Sequence, residues 1–530
     1  MTTVEAQAVD VLVVGAGASG IGAAIKLKEA GFDLLVLEKG SSVGGTWRDN
    51  TYPGCACDIP SSLYSYSFAP NPDWGRVFAE QPEIRAYLER TAHRFGLVPL
   101  IRFDTTVTEA RWDGQHWQVD TSNGHYTARI LVSGTGPWHE PLLPDLPGLA
   151  DFPGEIFHSS RWNHDYDLTG KRVAVVGTGA SAIQFVPKIQ PEVARLHLFQ
   201  RTASWVLPKV DHRMPWIERT LFRYVPLTQR WYRNAFYGGL EAFSFAFRHP
   251  NVMKVIQKAG LWNLHRSIKD PALREALTPD FVLGCKRLLM SNTYYPALTK
   301  PNVEVLPQAI ARVEGNAVIA EDGTRREVDA IIFGTGFHFS DPPVAKHVFG
   351  ADGRSLDDVW QGSPQAYLGT AVHGFPNLFL LLGPNLGTGH SSAFTIIETQ
   401  LRYLLDALNT MRRNGWHSVE VRRPVQEVFN TEVQEALSTT VYNAGGCMSY
   451  YIDANGRNST LWPWSTVRMT KRIKDFSAAD YLTEPTTTPT PTTTSARRPG
   501  AESTPGRSAS RSSRHCTTCR SGRGARPARS

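Results

Sequence analysis

A chain of 530 residues with 41% hydrophobic and 20% charged content has the make-up of a soluble globular protein, with room for about three domains. No run of ~18 uncharged apolar residues argues for a membrane span, and no basic stretch ahead of an apolar core argues for a secretory signal. The net charge of +7 lies entirely beyond position 482, where nine arginines face two acidic residues, so the rest is balanced and no nucleic-acid partner is expected.

The first patterned stretch, "DVLVVGAGASGIGAAIKLKEAGFDLLVLEKG", sets an apolar run (Val11–Val14) before G-x-G-x-x-G at Gly15, Gly17 and Gly20. A helical stretch and a second apolar strand ending at Glu38 follow. This predicts a βαβ dinucleotide unit. Gly15 permits the tight turn, Gly17 the approach of backbone to a pyrophosphate, and Gly20 the close packing of helix on strand. The helix N-terminus faces the phosphates and Glu38 accepts ribose hydroxyl bonds. "GSSVGGTW" then offers Gly44 and Gly45, with Thr46 and Trp47, for close passage beside the ligand. Glycine turns in "ILVSGTGPW" (130–138) and "AIIFGTGFHF" (330–339) read as points where the chain passes between nucleotide units.

"DFPGEIFHSSRWN" (151–163) follows neither the strand nor the helix period, and Pro153 and Gly154 mark a turn, so it reads as a connecting segment. "KRVAVVGTGASAIQFVPKIQPEVARLHLFQRT" then repeats the dinucleotide plan with Gly177, Gly179, Ser181 and Ala182. Its second strand ends in Gln200, Arg201 and Thr202 in place of an acid. An arginine there pairs with a 2′-phosphate, which favours NADPH over NADH. One unit with an acid and one with an arginine point to FAD plus NADPH.

Between Pro208 and Leu283, Tyr232, Phe236, Leu240, Phe243 and Phe247 keep helical spacing, with arginines 219, 223, 230, 233 and 248 interleaved. A packed core face outweighs a membrane-surface helix. "LLGPNLGTGHSS" (381–392) opens a helix, and His390 and its serines read as capping residues. The six cysteines are too few and scattered for a disulfide framework, which points to a reducing, cytoplasmic setting. A lone C-x-x-C, Cys516 and Cys519, makes no metal site, and none is expected. The Thr/Pro- and then Arg/Ser/Gly-rich tail is expected to be disordered.

Two further patterns carry a family resemblance. F-x-G-x-x-x-H-x-x-x-W is met by Phe152, Gly154, His158 and Trp162, and G-G-x-W-x-x-x-x-Y-P-G-x-x-x-D by "GGTWRDNTYPGCACD", Gly44 to Asp58. With both in order between two nucleotide folds, residues 8–482 resemble the type I Baeyer–Villiger monooxygenases. The resemblance implies an α/β fold of two Rossmann-like domains, for FAD and NADPH, with a helical insertion. The FAD domain would take residues 1–140 and 338–482, the NADPH domain 141–207 and 284–337, the insertion 208–283 and the tail 483–530.

It implies an O2-dependent conversion of ketones to esters or lactones through an FAD C4a-peroxide, with some sulfoxidation, by a monomer. Arg287, in "GCKRLL", would stabilise the peroxide and the developing oxyanion, and Asp58 would orient it. Lys286 matches a position near the NADPH 2′-phosphate, and the fingerprint residues would support domain movement. Two positions depart from the pattern. Asn163 stands where Pro or Asp is usual, and Tyr450, in "CMSYYIDANG", stands where relatives carry Trp on a loop closing over NADP. The competing readings are an N- or S-oxygenating flavin monooxygenase, a disulfide reductase needing a redox cysteine pair, and an anion-binding scaffold using the tail.

Overall fold

A computed structural model describes residues 6–486; the tail from Thr487 onward, with Cys516 and Cys519, lies outside the described residues. Two sheets carry the architecture, each started by an apolar run. In the first, β1 (Gln7–Val14) leads through α1 (Ala18–Glu29) to β2 (Leu34–Leu37), which pairs with it in parallel. Val11, Leu12 and Val13 are wholly buried, as a parallel strand covered on both faces requires. After α2 (Thr46–Asp49) and α3 (Gln81–Arg94) come β3 (Ile101–Arg102) and the antiparallel run β4 (Val107–Trp112), β5 (Trp117–Thr121) and β6 (Gly124–Ser133). The order is β4-β5-β6-β1-β2-β3, with Val348–Phe349 beyond β4 and Leu378–Leu380 paired to the C-terminal end of β6.

The second sheet is wholly parallel: Val303–Leu306, then β9 (Arg195–Phe199), β8 (Arg172–Val176), Ala330–Phe333 and β7 (Glu155–His158), with α4 (Ala182–Ile189) joining β8 to β9. Here the reading of 151–163 as a plain connection is corrected. Four of its residues form the edge strand β7. Phe157 faces the principal core and Ile156 the separate cluster around Phe152, so both faces are covered and no alternation shows. Gly154 admits the strand: a Cβ there would lie 2.4 Å from the Asp329 carbonyl oxygen.

Residues 208–283 form α5 (Trp216–Tyr224), α6 (Pro226–Arg248), α7 (Pro250–Ser267) and the short α8 (Pro271–Ala276). On α6, Phe247 is buried and Tyr232, Leu240 and Phe243 are half-buried against the core, while the opposite face is open. Two more expectations need correcting. Cys285 and Cys447, 162 residues apart, form a disulfide, a pairing only the fold creates. The ordered chain also runs past residue 482: Tyr481–Pro485 pairs with Trp416–Val421, and Tyr481 is buried. Among the described residues no helix is long and apolar enough to cross a membrane, and no group of His, Cys, Asp or Glu side chains could hold a metal ion.

Candidate active site

The two glycine loops are built alike. Gly15 has φ +99° and a Cβ on it would meet the Gly134 carbonyl oxygen at 2.7 Å; Gly177 has φ +100° and would meet that of Gly334 at 2.7 Å. The helices that follow, α1 and α4, start without a side-chain cap, leaving first-turn N–H groups free to receive an anion. A cavity of about 990 Å³ runs between the loops. Thr46 and Trp47 line it from the first unit, and Gly177, Gly179, Ser181, Arg201 and Thr202 from the second. Asp58, Lys286, Arg287 and Tyr450 complete the wall. The bare backbone, the uncapped helix ends and the length between them suit two dinucleotides.

Gly15, Gly17, Gly20, Glu38 and Gly45 are not among the residues that line the cavity. A Cβ on Gly20 would fall 1.7 Å from the Gly15 carbonyl oxygen, and one on Gly45 would fall 2.9 Å from the Gly17 Cα, so loop and return segment touch backbone to backbone. Glu38 is buried and already engaged. Its Oε2 accepts the Ala16 N–H at 2.7 Å, and its Oε1 accepts from the Gly40 N–H at 2.8 Å and Arg48 Nη1 at 2.6 Å. The acid therefore fixes the loop, and the expected ribose contact is not displayed on the cavity wall. Arg48, inside the glycine–tryptophan stretch, was not signalled by any motif letter.

Arg287 and Asp58, 229 residues apart, meet as a fork: Nε donates to Oδ2 and Nη2 to Oδ1, each at 2.8 Å. The Asp58 charge, acting against burial, holds the guanidinium above its ordinary pKa. The pair stays 31% and 27% exposed, enough to meet a ligand. Tyr450 packs against Tyr451 with ring centroids 4.5 Å apart and planes tilted by 55°, and donates to its hydroxyl at 3.3 Å. Cys55 and Cys57 are buried free thiols. Burial pushes the Cys55 thiol up to about 12 and raises Cys57 as well, so neither supplies the thiolate that disulfide exchange needs. Cys285 and Cys447 do not line the cavity.

Arg201 and Lys286 stand together on the wall, and neither joins an ion pair among the described residues. Burial and then the Arg201 charge lower the Lys286 ammonium pKa, with Asp280 opposing. Two unpaired cations side by side call for an anion.

Phe152, Gly154, His158 and Trp162 do not reach the cavity. His158 is 3% exposed, and burial holds it near pKa 4, hence neutral. Its Nδ1 accepts the Ser160 N–H at 3.1 Å, capping the turn after β7. Trp162 packs on Phe157 and Phe185. Asn163 makes an Asx turn, accepting from the Asp165 N–H at 3.0 Å and donating to Glu155 at 2.7 Å, so the departure there keeps a turn-former. Ser392 caps the helix at 393–414, whereas His390 Nε2 meets Glu241 of α6 at 3.1 Å. Gln184 of α4 was also missed: it accepts from the Tyr52 hydroxyl at 3.0 Å and donates to the Ala56 carbonyl at 3.0 Å, joining the two units.

A family model described as pyridine nucleotide-disulphide oxidoreductase matches residues 12–234. The chain is 50% identical over 478 residues to a Baeyer-Villiger monooxygenase of Streptomyces coelicolor, covering 89% of this chain and 92% of that protein. It is 48% identical over 513 residues to a Baeyer-Villiger monooxygenase of Pseudomonas aeruginosa, covering 95% and 96%. Among solved structures it is similar to OTEMO in complex with FAD and NADP, with TM-score 0.82, 27% identity, and 90% and 100% of the two chains covered. It is also similar to an oxidized steroid monooxygenase bound to NADP, with TM-score 0.80, 29% identity and the same coverage.

Proposed function

The chain belongs to the Baeyer–Villiger monooxygenases, and from that membership we propose that its cavity turns ketones into esters or lactones, with FAD on the first glycine loop and NADPH on the second. The reaction consumes one ketone, O2, NADPH and a proton. One oxygen atom enters beside the carbonyl carbon and the other leaves as water, while NADPH becomes NADP+. Bound flavin supplies the oxygen activation. The enzyme needs a fixed positive charge where the ketone oxygen turns anionic, and the observation that supports this role for Arg287 is its fork on Asp58 at the cavity wall. Asp58 is then a positioning residue, and an electrophilic N- or S-oxygenator has no use for the pair.

Arg201 and Lys286 would hold the 2′-phosphate, Tyr450 would close over the NADPH from its own loop, and Glu38 steadies the flavin loop. His158, neutral and capping, keeps the connection between the units in shape and donates no proton to substrate. The flavin unit comprises 1–140 and 338–485 and the NADPH unit 141–207 and 284–337, with 208–283 inserted. We place the enzyme in the cytoplasm, where NADPH is supplied, as a monomer. The test is a panel of linear, cyclic and aryl ketones offered with NADPH and isotopically labelled O2 to the flavin-loaded protein. Esters or lactones carrying one labelled atom are expected. Oxidised amines or thioethers with no ester from any ketone would overturn the reading.

A further inference from the structure

Helix α6 is apolar on two faces. The first packs inward; the second runs through Leu227, Trp231, Ala235, Gly238, Ala242 and Phe245, one unbroken helical stripe in which every residue is exposed. On α5, which packs against α6, Ile217, Leu221 and Tyr224 repeat the spacing and are exposed, beside Trp216. On α7, Val255, Ala259 and Trp262 do the same. Trp216 and Trp231 are 69% and 73% exposed. Of the nineteen large hydrophobic side chains exposed among the described residues, twelve fall between Val210 and Trp262, so this is a concentrated surface and not the ordinary scatter.

Charge identifies what covers it. From Arg213 to Lys269 seven lysines and arginines are exposed and no acidic residue of the span is; Glu218 and Glu241 are both half-buried, and of the seven cations Arg223 pairs with Asp73 from outside the span. The cations border the apolar stripes. Arg230 adjoins Trp231, Lys254 and Lys258 flank Val255, and the Arg266 guanidinium lies 5.2 Å from the Trp262 ring. Protein interfaces are depleted in lysine at their centres. Tryptophan and tyrosine at the water boundary, apolar stripes beneath and long cations able to reach outward are what an anionic bilayer surface receives. No helix here is long and apolar enough to cross a membrane. We propose that the insertion, residues 213–269, docks this enzyme on the surface of an anionic lipid bilayer, with α5 and α6 lying in the interface plane.

The flavin-loaded full-length protein should float with vesicles of phosphatidylglycerol and phosphatidylcholine in equal parts, and stay in solution with phosphatidylcholine alone. Salt should release it, because the attraction is screened. The double variant Trp216→Ser, Trp231→Ser alters only exposed side chains, so flavin content and NADPH oxidation should hold while vesicle binding falls about tenfold or more. The arginine-rich C-terminus is a rival anchor. If the double variant binds as the parent does, binding belongs elsewhere and the proposal fails. Equal binding to both vesicle types, or to neither, also overturns it. So does self-association of the parent that the double variant abolishes, since the face would then serve a second copy of this chain.

Discussion

Replacing Arg287 with alanine isolates the step that distinguishes ester formation from other flavin oxygenations. The side chain is held by two charge-assisted bonds of 2.8 Å, each worth about 1.5–3 kcal/mol, and the residue lines the cavity. Removing a donor that stabilises a developing oxyanion costs about 2.7–4 kcal/mol, or 10²–10³ in turnover. Arg287→Ala should therefore still bind FAD and still oxidise NADPH, but lose ester by about 10²-fold or more, with hydrogen peroxide in its place. Arg287→Lys should recover little, because an ammonium point charge cannot occupy both oxygens of Asp58 in the planar fork. Asp58→Ala frees the guanidinium without removing it and should cause a smaller loss. The double variant should match Arg287→Ala, since a residue acting through another adds nothing once that other is gone. NADPH loss, peroxide and ester are followed together in one reaction. Undiminished ester in Arg287→Ala, or fully additive losses in the double variant, would refute the reasoning.

Arg201→Ala should lower the ratio of NADPH to NADH efficiency by about 10- to 150-fold, the worth of one charged contact at about 1.5–3 kcal/mol; steady-state kinetics with both coenzymes checks it. His158 gives a pH signature. Its folded pKa, about 4, lies below the ordinary 6.5, so the unfolded chain binds the proton first and stability falls as pH drops from 6.5 toward 4, by about 3 kcal/mol in all. His158→Asn, which keeps an acceptor for the Ser160 N–H, should flatten that part of the curve in denaturant titrations; an unchanged slope would count against a buried neutral imidazole. Ending the chain after Thr486 should leave flavin content and turnover intact. Ending it after Asp480 removes buried Tyr481, which packs on Phe476, and should cost about 3–5 kcal/mol, seen as earlier thermal unfolding.

The nucleotide loops were legible because their signal is local: an apolar strand, glycines at fixed steps and a strand-end residue all lie within about one βαβ unit. Arg287 and Asp58 were legible only through the motifs that contain them, since nothing in either stretch says that two residues 229 positions apart will meet. Strand β7 stayed hidden because its neighbours Pro153 and Gly154 look like a turn and its apolar residues are consecutive. The last strand, Tyr481–Pro485, was cut at residue 482 because Thr483, Glu484 and Pro485 read as the start of the Thr/Pro-rich tail. The aromatic period of α6 located its packed face at Tyr232, Leu240, Phe243 and Phe247, whereas Phe236 is not part of that core and packs edge-on against Tyr232. Its open face escaped notice because alanine and glycine dilute the leucine, tryptophan and phenylalanine along it. Glu241 with His390, and Gln184 between the units, are products of tertiary packing and leave no pattern at all.

The Cys285–Cys447 bond has a mechanical consequence. Cys285 immediately precedes Lys286 and Arg287, on the segment leading to the strand Leu289–Met290; Cys447 begins the stretch that carries Tyr450. The bond ties the segment that carries Arg287 to the stretch that carries Tyr450, so wherever it is formed the two side chains are held to one neighbourhood by covalent chain as well as by packing, and reduction would remove that tether.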